Sequence, residues 1–217
     1  MTDVRASGVL SSGVAPFHSN MYHPCPDEHG LPVRIANPSL PGDPTAWADP
    51  ARMATVVPGG AMPAALNGTP IAPALLPIVE ARIDEPPYVL PAGMRAAAGA
   101  VIVEDDGRVW LVAPTNGFGG YVATFPKGRV DGAMDLQATA VREAFEESGL
   151  AIELVAFLAD APRTQTYTRY YVARRVGGNP ALMGWETQAV HLVPAALLPE
   201  VAIHANDVAV IAALRRR

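Results

Sequence analysis

The sequence predicts an α/β protein, a mixed β-sheet sandwiched by helices and preceded by an irregular, proline-rich region. Three observations predict it. Proline divides the chain, with 16 of 22 prolines at or before Pro91. From Met94 the texture changes to short apolar and alternating runs separated by turn signals, the mark of strands. Two stretches, near residues 135–148 and 207–216, instead carry helical periodicity. Half the residues are hydrophobic and 17% are charged, enough for one sizeable core plus an appendage.

Residues 1–92 contain HPCP, NPSLPGDP, VVPGGAMP, GTPIAP and DEPP, each a turn or extended marker. Residues 31–35, 54–57 and 74–79 are short apolar pieces between them, expected as strands or brief helices. The region is expected to be partly ordered by packing on residues 93–217, and to serve dimerisation or to cover the substrate. Residues 97–103 and 108–112 read as two strands around Glu104-Asp105-Asp106-Gly107, which carries the Asp-Gly hairpin signal. Residues 121–125 read as a third strand, and residues 135–148 as a helix. Further strands are expected at 152–158, 167–175 and 189–193, with a turn at 177–180 and a turn or helix from Pro194. In the closing helix, Val208, Ile211, Ala212 and Leu214 are the expected apolar face.

Composition also narrows the partners. The net charge is −5, from 16 basic and 21 acidic residues, which gives no footprint for nucleic acid. No apolar run reaches bilayer length, and the first residues lack a signal-peptide layout. The single cysteine excludes an internal disulfide framework and fits a reducing, cytoplasmic setting. A soluble protein acting on a small molecule is the expectation.

The chemistry concentrates in GRVDGAMDLQATAVREAFEESGL, residues 128–150. At about 100° per residue, Glu143, Glu146 and Glu147 fall within about 100° of arc, opposite Ala138, Val141, Ala144 and Phe145. Glu143 and Glu147 are a repulsive i,i+4 pair, which disfavours an isolated helix. A helix that gathers such oxygens has a cation to hold, and hard oxygen ligands suit Mg²⁺ or Mn²⁺. Asp135 reads as the helix N-cap and Gly149 as the glycine past its C-terminus.

Gly128, Arg142-Glu143, Ala144, Glu146-Glu147, Gly149 and Leu150 fall on one spacing. This segment resembles the Nudix box: glycine, five residues, glutamate, seven residues, Arg-Glu, an apolar residue, any residue, Glu-Glu, any residue, glycine, apolar. Chance agreement of six fixed letters is on the order of one in ten million per position. The resemblance covers roughly residues 94–217 and implies the Nudix α/β/α sandwich. It implies a pyrophosphohydrolase that cleaves a diphosphate linkage in a nucleoside diphosphate derivative, of the ADP-ribose or dinucleoside polyphosphate type. Glu143, Glu146 and Glu147 match the family's metal ligands, for Mg²⁺ or Mn²⁺, and Arg142 matches the arginine that orients a box glutamate. The general base varies across the family; Glu186, before the strand at 189, and Glu143 are the two candidates.

One position departs from the pattern, since Met134 stands where the first glutamate is expected. Asp131 or Asp135 is a substitute carboxylate, and the departure keeps a weak or inactive nucleotide-binding module as the alternative reading. FPKGR, residues 125–129, looks like members acting on dinucleoside polyphosphates or diphosphoinositol polyphosphates, with Lys127 and Arg129 meeting phosphate oxygens. Arg163, Arg169, Arg174 and Arg175 add positive charge along the next strand. Arg169 with Tyr167 and Tyr171 is a candidate base-stacking pocket, although half-buried strand packing is the commoner use of such tyrosines. His23, Cys25, Asp27 and His29 carry one thiol among them, short of a structural zinc set, and read as a proline-rich loop. His191 and His204 are assigned no role.

Overall fold

In the computed structural model, residues 21–79, 82–117 and 122–217 are described. Among them the early segment contributes five short strands: β1 (Met21–Tyr22), β2 (Arg34–Ile35), β3 (Ala54–Val56), β4 (Ala65–Leu66) and β5 (Thr69–Pro70). The longer elements follow: β6 (Arg95–Ile102), β7 (Arg108–Pro114), β8 (Lys127–Arg129), helix α1 (Leu136–Ser148), β9 (Leu150–Pro162), β10 (Thr166–Gly178) and β11 (Thr187–Pro194). Two helices, α2 (Leu198–Val201) and α3 (Ala205–Leu214), close the chain. Among the described residues no helix is long and apolar enough to cross a membrane.

The fold is the expected α/β type with a mixed sheet. Four strands run in the order β8-β6-β10-β9, with β6 parallel to β10 and the other neighbours antiparallel. A second, antiparallel sheet runs β3-β11-β7. Strand alternation sorts the core into two layers. Ala98, Ala100, Ile102, Tyr171 and Ala173 pack with Ala140, Val141 and Ala144 of α1. Val101 and Tyr170 point the other way, into a cluster with Leu111, Phe125, Val210 and Ile211.

The early segment is built into this core. Strand β3 pairs with β11, placing Thr55 opposite His191, and buries Ala54 and Val56. Trp47 packs on Trp110, ring centroids 6.0 Å apart. Arg108, 1% exposed, donates to the carbonyls of Ala46 and Trp47 at 2.9 Å and pairs with Asp106 at 2.7 Å. Glu104 accepts from Trp110 Nε1 at 2.7 Å and from Arg175, whose Nη2 also donates to Leu66 O at 2.9 Å.

Several local expectations change. The turn at Gly107 (φ 81°) forms, yet β6 and β7 share only the Val103–Val109 bridge before parting into different sheets. No strand spans 122–125: Thr124 alone bridges to Val112, and Tyr121 lies outside the described residues. The short strand comes later, as β8, because Pro126 has no N–H for a ladder. Residues 74–79 form no strand, with Leu75 and Ile78 exposed. Val208 is also exposed, because α3 is turned so that Asp207, Val210, Ile211 and Ala213 face inward. Its N-terminus is set by His204, whose Nδ1 accepts from Asn206 N at 3.1 Å, and by Asp207, which accepts from Arg163 at 2.9 Å.

His191 Nδ1 lies 2.9 Å from Thr55 Oγ1, and burial pushes its pKa down to about 4. A base whose folded pKa is depressed stabilises the fold above its unfolded pKa, about 6.5, and loses that contribution as pH falls towards 4. The wild type should therefore lose thermal stability between about pH 6.5 and 4 more steeply than His191→Gln. Parallel melting curves across that window would refute this.

Candidate active site

Helix α1 starts where Asp135 accepts from Ala138 N at 2.9 Å. It stops at Gly149, which adopts φ 68° and donates to Phe145 O at 2.8 Å. A Cβ on Gly149 would also lie 2.5 Å from Asn179 O, so glycine is needed there twice over. The apolar side of α1 lies on β6 and β9, and the carboxylate side adjoins it over β8.

Glu143 is 7% exposed and packs directly on Gly128 of β8, where a Cβ would sit 2.1 Å from its carboxylate. Glu147 Oε2 accepts from the backbone N–H of Lys127 at 2.8 Å. Arg142 donates to Glu143 Oε1 at 2.7 Å, to Glu146 Oε2 at 3.2 Å, and to Asp131 Oδ2 and the Arg129 carbonyl at 3.3 Å each. Strand β8 and helix α1 are thus locked together by charged groups.

The loop carrying Glu186 is docked on the same helix. Gly184 N–H donates to Glu146 O at 2.8 Å, and Thr187 N–H donates to Gly184 O at 3.0 Å. Thr115 N–H holds the Glu186 carbonyl at 2.8 Å from the other side. Lys127, half-buried, and Arg129, exposed, flank Gly128 on β8.

These carboxylates raise one another's pKa. Burial, then the charge of Glu147, pushes Glu143 up to about 8, against the pull of Arg142. Burial pushes Glu147 up to about 7, partly offset by the charge and the amide of Lys127. Glu186 is exposed, yet partial burial, then the charges of Glu28 and Glu146, raise its pKa too, against the pull of Lys127.

The sequence profile of the NUDIX domain matches residues 93–214. The chain belongs to the Nudix hydrolase family. It is 35% identical over 96 residues to the RNA pyrophosphohydrolase of Caulobacter vibrioides (strain NA1000 / CB15N), covering 43% of this chain and 52% of that protein. It is 32% identical over 73 residues to the RNA pyrophosphohydrolase of Novosphingobium aromaticivorans, covering 34% and 45%. The chain spans about half the length of the curated relatives it matches. Among solved structures, a C. elegans Ap4A hydrolase binary complex overlaps 55% of this chain and 96% of its own, with 19% identity and a TM-score of 0.48. An ADP-ribose pyrophosphatase from Streptococcus suis 89-1591 overlaps 57% and 92%, with 20% identity and a TM-score of 0.45.

Nudix enzymes generally use divalent cations. Among the described residues, no three His, Cys, Asp or Glu side chains converge closely enough to form a ready-made cage. Glu143 and Glu146 are turned onto Arg142, and Glu147 onto the Lys127 amide. The donor set itself fits a hard cation, being three carboxylates on one helix face, two of which resist ionising without a counter-charge.

The structure brings together Lys127, Arg142, Glu143, Glu146, Glu147 and Glu186, joins Arg129 to them through its backbone carbonyl, and leaves Arg169 apart. Arg169 is 1% exposed, and its guanidinium pairs with Asp160 at 2.7 and 2.8 Å and donates to Pro86 O at 2.8 Å. Tyr88 and Phe157 sandwich it, each ring centroid 4.9 Å away. Tyr171 donates to Glu85 at 2.6 Å, and Tyr167 stacks on Tyr88 at 5.7 Å. The space expected to stack a base is filled by residues 85–88 of the same chain. The other arginines of that stretch are likewise paired: Arg163 with Asp207, Arg174 with Glu153, Arg175 with Glu104. His23 Nδ1 accepts from Cys25 N at 3.0 Å, and Asp27 accepts from His29 N and Leu31 N, a loop held by its own backbone.

Two features escaped the sequence reading: Gly184, whose closeness to α1 seats the Glu186 loop, and Glu28, whose charge reaches Glu186. Neither carries a local signal. Because the group facing Gly128 is the end of a side chain, Gly128→Ala should cost under about 1 kcal/mol of stability while displacing Glu143. Any hydrolysis that depends on Glu143 should fall by about 10–100-fold, the scale of an ångström's misplacement. An alanine variant with full turnover would sink this account of the glycine.

Proposed function

We propose that this chain is a Nudix pyrophosphohydrolase dependent on Mg²⁺, with Mn²⁺ as substitute. Its substrate is a nucleoside diphosphate derivative of the ADP-ribose or dinucleoside polyphosphate type. The observation that carries the reading is the junction of α1 and β8, where Gly128 admits Glu143 and the Lys127 amide holds Glu147.

Glu143, Glu146 and Glu147 are the residues that would hold the cation. When bound, a divalent cation neutralises phosphate charge and makes water a better nucleophile. Arg142 orients Glu143, and Lys127 and Arg129 supply the cationic side of the site for phosphate oxygens. Water adds to one phosphorus of the anhydride as the bridging P–O bond breaks, giving two phosphate-bearing products. The proton lost by water goes to a carboxylate. Glu186 suits this role because its raised pKa makes it a stronger base than an ordinary glutamate. Glu143 is the other candidate. The single Cys25 accords with a cytoplasmic setting.

A second reading, RNA as substrate, is favoured by the name the curated relatives share. Against it stand the net charge of −5 and the inward pairing of Arg163, Arg169 and Arg175, which leave little positive surface for a long polyanion.

The test is a product-mass screen with Mg²⁺ and with Mn²⁺. The panel holds ADP-ribose, diadenosine polyphosphates, diphosphoinositol polyphosphates, nucleoside triphosphates and 5′-triphosphorylated RNA. Glu147→Gln should lower turnover by at least about 10²-fold, the scale for removing a group that stabilises developing charge. Thermal stabilisation by one compound without product would support the binding-module reading and defeat the hydrolase.

A further inference from the structure

We infer that Asp131 is a positioning residue of this site, holding Arg142 centred over Glu143 in place of the carboxylate that Met134 does not supply. The inference rests on the hydrolase reading. Residues 131–134 form a turn closed by Met134 N–H donating to Asp131 O at 3.1 Å, with Gly132 at φ 57°. That turn carries Asp131 to Arg142, Nη2 to Oδ2 3.3 Å, while Glu146 takes the other terminal nitrogen, Nη1.

The guanidinium therefore stands between two exposed carboxylates, Asp131 and Glu146, with the buried Glu143 beneath it at 2.7 Å. Asp135 does not take this part, being engaged as the helix N-cap and by Arg82 at 2.5 Å. Removing the charge of Asp131 leaves Arg142 held at its sides by Glu146 on Nη1 and by the Arg129 carbonyl, a neutral acceptor 3.3 Å from Nη2. The charge balance then favours Glu146, and the grip of Arg142 on Glu143 loosens.

Asp131→Asn should lower kcat by about two- to fivefold with KM unchanged, the range expected for one exposed ion pair. Asp131→Glu should keep wild-type kcat. In an Arg142→Met background, Asp131→Asn should add nothing, because the two act as a unit. A side-chain NMR readout is independent of turnover: the Arg142 Nη resonances, resolved when the fork is held, should merge in Asp131→Asn. An unchanged kcat, an equal loss in the Arg142→Met background, or unchanged Nη resonances would each overturn the inference. If the wild type turns over nothing, the hydrolase reading fails while the NMR comparison still decides the role of Asp131.

Discussion

Strand β8 is only three residues long, and its position depends on two close approaches that glycine permits. On one side a Cβ at Gly99 of β6 would meet Pro126 O and Lys127 Cβ at 2.6 Å. On the other, Gly128 lies against the Glu143 carboxylate. The strand is therefore an edge strand seated closely against β6 at one glycine and beneath α1 at the other. Its backbone then does chemical work: the Lys127 amide reaches Glu147 and the Arg129 carbonyl reaches Arg142. The box glycine and box glutamates are thus two halves of one contact, although they lie fifteen or more residues apart.

Around this junction the chain uses arginine as an internal rivet. Arg108 ties down residues 46–49, Arg163 holds α3 through Asp207, Arg169 holds residues 85–88, and Arg175 holds the turn after Leu66. All four are at most 8% exposed. Burying an ion pair gives little net stability, but losing one partner leaves a stranded charge and costs about 3–5 kcal/mol. Each pair therefore fixes where a peripheral segment docks. The same arrangement shapes the surface, because a guanidinium saturated inside the fold cannot meet a phosphate. Among the described residues, positive charge at the carboxylates of α1 comes chiefly from Arg142 and from Lys127.

What was legible in the sequence was whatever local spacing controls. Asp135 and Gly149 marked the ends of α1 because capping acts within three or four residues. The acidic face was visible because helical periodicity fixes it. The pairing of β3 with β11 was not, since a three-residue strand more than a hundred residues from its partner leaves no periodic trace. Arg169 was misplaced for a related reason. Strand alternation told which face it shares with Tyr171, but not that Asp160 and residues 85–88 would cover that face. For α3, the apolar stripe named Val208 as buried, whereas the Arg163–Asp207 pair set the rotation of the helix.

The raised carboxyl pKa values carry the last step. Glu143, at about 8, binds protons in the folded chain that an ordinary glutamate releases near 4.5. Such a group favours the fold below about pH 4.5 and progressively loses that contribution as pH climbs towards 8. Glu147, at about 7, acts in the same direction. At neutral pH Glu143 and Glu147 therefore hold protons that an ordinary glutamate would have released, and a counter-charge brought to them would displace those protons. Elsewhere this chain meets buried charge with a partner, at Arg108, Arg163, Arg169 and Arg175. Carboxyls beside Lys127 and Arg142 that still resist ionising accord with a site whose missing charge arrives from outside, with cation and substrate together.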